Sequence, residues 1–160
     1  MTAGLYLAGP LGFTEPGRLF HADVLLPAVV AAGFEPLDPW AVGPEIQAVF
    51  GLPVGDPRRR AGLPAANRAI GLRNAELIQH CAAVLDGNDV DSGTAAEIGY
   101  AAALAKPVVG LRTDFRPSGD NEATVVNLQV EWFIEASGGG IEPSLDLALA
   151  RLSAVAGAGD

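Results

Sequence analysis

The feature that most constrains this chain is an alternation: short apolar runs, each stopped by glycine, proline or acid, are separated by longer stretches with helical spacing. AGLYLAG (residues 3–9) is a compact apolar run ended by Gly9-Pro10, and it reads as a buried strand that stops at a turn. RLFHADVLLPAVVAAG predicts a helix over residues 17–32, with a glycine in the C-cap position and a kink at Pro27. FEPLDPW (34–40) predicts a second strand leading into a loop. Residues 41–63, rich in proline and glycine, read as an irregular excursion with the character of a flap. Helical spacing returns over 65–81, and AAVLDG (82–87) is a strand. GTAAEIGYAAALAKP is a helix stopped by Pro107, followed by a strand over 107–114. VVNLQVEWFIEASGGG predicts a helix, Ile141 begins a short last strand, and SLDLALARLSAVAG closes the chain as a helix. Such an order implies an α/β fold: a doubly wound parallel sheet of about five strands in three α/β/α layers.

Length and charge narrow the functional classes. A chain of 160 residues, 49% apolar, suits one domain over 1–160. The formal charge of −9 and pI near 4.5 repel phosphodiester backbones and anionic lipid, so neither nucleic acid nor a membrane surface is an expected partner. A lone Cys81 forms no internal disulfide, and MTAGLYLAGP lacks the basic start and apolar run of a signal peptide. No apolar stretch approaches the roughly 20 residues of a membrane span. The expected location is cytoplasmic.

In an open sheet of this kind, ligands sit beyond the carboxyl ends of the strands. Three stretches fall there: Gly9-Pro10-Leu11, Asp38-Pro39-Trp40, and the segment from Asp86 to Gly93. None fits the glycine-rich patterns of dinucleotide or triphosphate binding, and no cofactor is expected. LDGNDVDSGTAAEIGYA (85–101) carries four carboxylates, and two readings of it stand open. In one, Thr94 and Glu97 form a capping box and Asp91 complements the helix dipole. In the other, Asp91 and Glu97 are a catalytic pair. A divalent-metal loop of Asp86, Asp89 and Asp91 is disfavoured, because the glycine and terminal glutamate of an EF-hand are absent, and no metal is expected.

The string DGNDVDSGTAAEIGYAAALAKPVVGLRTD, together with YLAGPLGF and VVNLQVEWFI, resembles the nucleoside 2-deoxyribosyltransferase family from Leu5 to about Ile134. The resemblance implies a flavodoxin-like sheet and transfer of 2-deoxyribose between nucleobases, a salvage activity. It implies Glu97 as the nucleophile and Tyr6 as the phenol that supports it; retaining exchange also calls for a group that handles the proton of the base, for which Asp91 is the candidate, while RNAELIQHCAAVLDG carries alanine before the third strand where many relatives carry an acid. Gly9, Pro10 and Phe13 match the loop that packs the base. Asn127 matches an asparagine lent to a neighbouring subunit, which implies a homo-oligomer, a dimer or an assembly of dimers, while its own spacing also reads as a helix N-cap. Asp86 and Trp40 complete the substrate-binding set, for 2'-deoxynucleosides and free nucleobases. A further polar residue of the family aligns with Asn74 or Glu76.

The remaining candidates read as structural. His80 and Cys81 are adjacent on a helix and do not face each other. His21 reads as a packing residue and Arg58-Arg59-Arg60 as a solvated turn. Two alternative functions stay beside the main one. One is a 2'-deoxynucleoside 5'-phosphate N-glycosidase, disfavoured because GPLGF offers a phosphate only backbone NH groups. The other is a non-catalytic nucleotide-binding module in which Glu97 is a cap.

Overall fold

A computed structural model describes residues 2–87, 90–114, 116, 119–122 and 124–156. Asp89, a member of the metal-loop reading, lies outside the described residues.

Five strands form one parallel sheet: β1 (Ala3–Ala8), β2 (Phe34–Leu37), β3 (Ala83–Gly87), β4 (Val108–Leu111) and β5 (Gly140–Glu142), in the order β2-β1-β3-β4-β5. This is the flavodoxin-like order, in which the winding reverses between β1 and β3 and opens a crevice at their carboxyl ends. In register, Tyr6 lies between Leu37 and Val84, and Ala8 lies beside Asp86. Alternate residues of β1 serve opposite faces. Leu5 and Leu7 join Leu25, Val29, Leu149 and Leu152 in one core, while Tyr6 and Ala8 join Ile78, Ile98 and Ile134 in the other. Burial on both faces explains why the strands read as nearly unbroken apolar runs.

The first core is covered by α1 (Glu15–Phe20), α2 (Leu26–Ala31) and α7 (Leu145–Ala156), and the second by α4 (Pro57–His80), α5 (Ser92–Ala103) and α6 (Leu128–Ala136). Between α1 and α2, where the sequence predicts a kink at Pro27, a π turn runs over His21–Leu25 and the Leu26 amide reaches back to the His21 carbonyl. Pro27 has no amide to complete an α-helical turn, and the wider ring absorbs the mismatch.

The expected irregular excursion is helical instead. Residues Pro44–Phe50 form α3, and α4 starts at Pro57 and passes through Pro64 without stopping. Pro44 and Pro57 stand in first turns, where a missing amide costs nothing. Asp56 caps α4 by accepting the Arg58 amide at 2.8 Å. Arg59 donates to the carbonyls of Phe50 and of Leu52, the latter at 2.8 Å, and lies 5.6 Å from the Phe50 ring centroid. The arginine run therefore binds α3 to α4: Arg58 pairs with Asp56, and Arg59 clamps the connection. Among the described residues, no helix is long and apolar enough to cross a membrane.

Candidate active site

Three elements meet at the carboxyl end of the sheet. The loop after β1 turns at Gly9, whose φ of +135° suits glycine, and passes within van der Waals contact of Gly87. α5 begins with Asp91 as N-cap, its Oδ1 accepting the Thr94 amide at 2.7 Å and the Thr94 hydroxyl at 2.8 Å. Of the two readings left open for this segment, the capping box of Thr94 and Glu97 does not form. The helix starts three residues earlier, because the Asp91 carboxylate takes the exposed amide, and Glu97 sits too deep in the helix to cap it.

Glu97 instead turns towards β1 and α4. Its Oε1 accepts the Tyr6 hydroxyl at 2.7 Å and the Asn74 side-chain amide at 3.2 Å. Of the two aligned possibilities on α4, Asn74 is therefore the residue at the site, whereas Glu76 lies on another face beside Glu35 and Gln79. Burial raises the Glu97 pKa above its ordinary value and the Asp91 charge adds to the rise, while the bonds from Tyr6 and Asn74 oppose it. Burial, reinforced by the Glu97 charge, raises the Tyr6 pKa, so the phenol remains a proton-bearing donor.

Glu97, Asp91, Gly93 and Thr94 open onto a cavity of about 730 Å³. Phe13 and Trp40 form an aromatic wall, with ring centroids 4.7 Å apart and planes at 88°. Trp40 packs on the bare backbone of Gly12, where a Cβ would fall 2.2 Å from the indole. Much of the remaining lining comes from the two proline-started helices: Ile46, Gln47 and Phe50 on α3, and Asn67, Ile70 and Asn74 on α4. Sequence reasoning missed the α3 residues because the segment was read as irregular. A signal for α4 was present, since Asn67, Ile70 and Asn74 fall at i, i+3 and i+7, one face of a helix.

The expected residues sort into two groups. Gly9, Phe13, Trp40, Asp91 and Glu97 line the cavity, and Tyr6, fully buried, stands behind Glu97 and reaches it through its hydroxyl. Pro10, Asp86 and Asn127 are not among the cavity's lining residues. Pro10 leads into a short 3-10 turn, Leu11–Phe13, and Asp86 is buried within β3 between Ala8 and Gly110. Asn127 is the N-cap of α6, accepting the Gln129 and Val130 amides at 3.0 and 3.3 Å and donating to Asp120 at 2.8 Å. His80 and Cys81 make no pair: the His80 ring contacts the Glu76 carbonyl, and the buried Cys81 thiol, its pKa raised by burial, donates to the Ile78 carbonyl. His21 is buried against Asp38.

The family model for nucleoside 2-deoxyribosyltransferase matches residues 5–129. Among solved structures, a conserved protein from Enterococcus faecalis V583 superposes with a TM-score of 0.67 at 22% identity, covering 96% of this chain and 99% of that one. A 2-desoxiribosyltransferase from Leishmania mexicana gives 0.64 at 23%, covering 94% and 96%. A CMP N-glycosidase from Clostridium botulinum gives 0.51 at 17%, covering 94% and 97%. At these identities the structures speak for the fold alone. No curated protein matches the chain. With the family model covering most of its length, the chain belongs to the nucleoside 2-deoxyribosyltransferase family.

Proposed function

We propose that the protein exchanges nucleobases on 2-deoxyribose through a covalent deoxyribosyl–Glu97 intermediate. The observation that carries this reading is a half-buried carboxylate, oriented by a phenol and an amide, facing a cavity walled by Phe13 and Trp40. Both hydrogen bonds fall on Oε1, which leaves Oε2 as the attacking atom. In the first step the Oε2–C1' bond forms as the glycosidic bond breaks, and its electron pair leaves with the base, protonated by Asp91. In the second, an incoming base attacks C1', releases Glu97 and returns its proton to Asp91, so two displacements retain configuration. A flat heterocycle suits the aromatic wall.

The charge of the lining favours a nucleoside over a nucleotide. Among the described residues facing the cavity, none carries a positive charge, so a 5'-phosphate has no cation to pair with there. The hydrolytic reading shares the nucleophile and differs only in whether water or a base takes the sugar. Asn127 stands outside its own chain's cavity, and Leu128 and Trp132, next to it on α6, are 51% and 60% exposed. That surface fits a neighbouring subunit, with Asn127 completing the neighbour's site in a homo-oligomer.

The test is chromatographic. Protein incubated with deoxyinosine and adenine should form deoxyadenosine, and Glu97→Gln should form none. Hypoxanthine with free deoxyribose and no exchange would assign hydrolysis. A folded wild type inert on deoxynucleosides and deoxynucleotides would leave the binding-module reading, since Gln at position 97 keeps the hydrogen bonds while losing the nucleophile.

A further inference from the structure

We infer that Asp38 is a positioning residue that fixes Trp40 as the wall against which the base rests, and that His21 and Arg73 hold Asp38 for that purpose. The inference rests on the proposed reaction only in placing a base against Trp40.

The geometry converges on two residues of one loop. Asp38, just after β2, accepts the Trp40 amide on Oδ1 at 2.9 Å. Its Oδ2 lies 3.2 Å from His21 Nε2, a side chain only 8% exposed. Both terminal nitrogens of Arg73 reach the Asp38 carbonyl at 3.2 Å, and one extends to the Pro39 carbonyl at 3.5 Å. A tight turn needs only the first of these bonds. The other two bring in the π turn and α4, elements far away in sequence, and burying an imidazole at a loop, with a half-buried guanidinium beside it, has a desolvation cost that the turn alone does not require. Beyond the clamp, the Trp40 indole lies on Gly12 with its neighbour Phe13 edge-on, so rotation of the loop would move the whole aromatic wall.

Two details connect the clamp with the chemistry. The π turn begins at His21, and such turns reset the direction of the residues they contain. Arg73 immediately precedes Asn74, which donates to Glu97. One turn of α4 therefore sets both the base wall and the nucleophile, and fixes the distance between them.

The test uses a Trp132→Phe background, in which Trp40 is the only remaining tryptophan of the two. Asp38→Ala and Asp38→Asn are compared for KM and kcat with deoxyinosine and adenine, and for acrylamide quenching of Trp40 fluorescence. Asp38→Ala should raise KM roughly tenfold with kcat little changed, a loss of uniform binding of the size of one stacked base. Quenching should increase with it, and Asp38→Asn, which keeps the turn bond, should recover part of both. A folded Asp38→Ala with unchanged KM and quenching, or with kcat falling while quenching stays put, overturns the inference. Should Asp38→Ala not fold, Asp38→Asn and His21→Gln alter the His21–Asp38 contact and leave the turn, and unchanged quenching in both has the same force. If the wild type shows no glycosyl chemistry, the proposed function fails, and quenching alone still decides whether Asp38 holds Trp40.

Discussion

The Tyr6 hydroxyl donates to Glu97 Oε1 over 2.7 Å, joining the middle of β1 to the second turn of α5 across 91 positions of sequence. Tyr6 is wholly buried and faces the core shared by α4, α5 and α6, so its ring is fixed by packing and its hydroxyl has one direction to point. A carboxylate held this way requires no reorganisation to serve as the proposed nucleophile when substrate enters.

Removing that donor should move the pH profile in a defined direction. Burial already raises the Glu97 pKa, and the Tyr6 bond works against the rise. Tyr6→Phe leaves the burial and deletes the opposing bond, so the carboxyl ionises only at higher pH. The acid limb of kcat/KM should shift upward, with activity at neutral pH lowered roughly tenfold or more. An acid limb that stays in place, or moves down, contradicts the assignment of Glu97 as the ionised group.

The same burial carries a cost in stability. A carboxyl whose folded pKa lies above its unfolded value binds its proton more tightly when folded, so stability is highest below the unfolded pKa and falls as pH rises through the folded one. Glu97→Gln has no such loss, and its amide oxygen still accepts from Tyr6 and Asn74. The variant should melt higher than wild type at neutral pH, with the difference closing in acid. Thermal melts across pH measure this directly. Equal melting at all pH values would mean that the site is better hydrated than its burial implies.

Asp91 has two duties that substitution can separate. As N-cap it holds the Thr94 amide and hydroxyl, and as an acid it faces the cavity. Asn caps as well as Asp, so Asp91→Asn should fold with nearly wild-type stability and lose most of the exchange activity. Asp91→Ala should lose the activity and about 1 kcal/mol of stability besides. Denaturant titration beside the exchange assay separates the two effects. Full activity in Asp91→Asn would remove Asp91 from proton handling.

Much of this architecture is legible in the chain because burial on both faces writes strands as apolar runs, and Gly9, Gly87 and Pro107 mark where they stop or start. The proposed nucleophile, Glu97, is legible only with the family resemblance. Spacing alone offers Glu97 an equally good place in a capping box, and what removes it is a cap three residues upstream, a fact of three dimensions. The cavity's outer wall is the least legible part. Pro44, Pro53 and Pro57 suggest broken structure over 41–63, yet Pro44 and Pro57 start helices, and Pro64, just beyond, is carried by a helix whose packing outweighs one missing hydrogen bond. His21 and Arg73 likewise carry no local signal, because their partner Asp38 is 17 and 35 residues away.

Gly12 is the position where the smallest change should have the largest effect on substrate binding. It sits in the 3-10 turn Leu11–Phe13, and its backbone is not in the left-handed region, so alanine is conformationally acceptable there. The obstacle is space: a Cβ would lie 2.2 Å from the Trp40 indole, and one of the two must move. The indole stands at the cavity rim, whereas the Gly12 backbone is held by the Phe13 amide bonded to the Pro10 carbonyl at 3.0 Å and by Arg18 at 3.2 Å on the Gly12 carbonyl. Trp40 should therefore yield and tilt off its edge contact with Phe13. Gly12→Ala should leave thermal stability almost unchanged and raise KM for the nucleoside and the acceptor base by roughly tenfold, the scale of one aromatic–base stack. A Gly12→Ala enzyme with wild-type KM for both would mean that the base does not rest on Trp40, and that the aromatic pair serves only to close the loop.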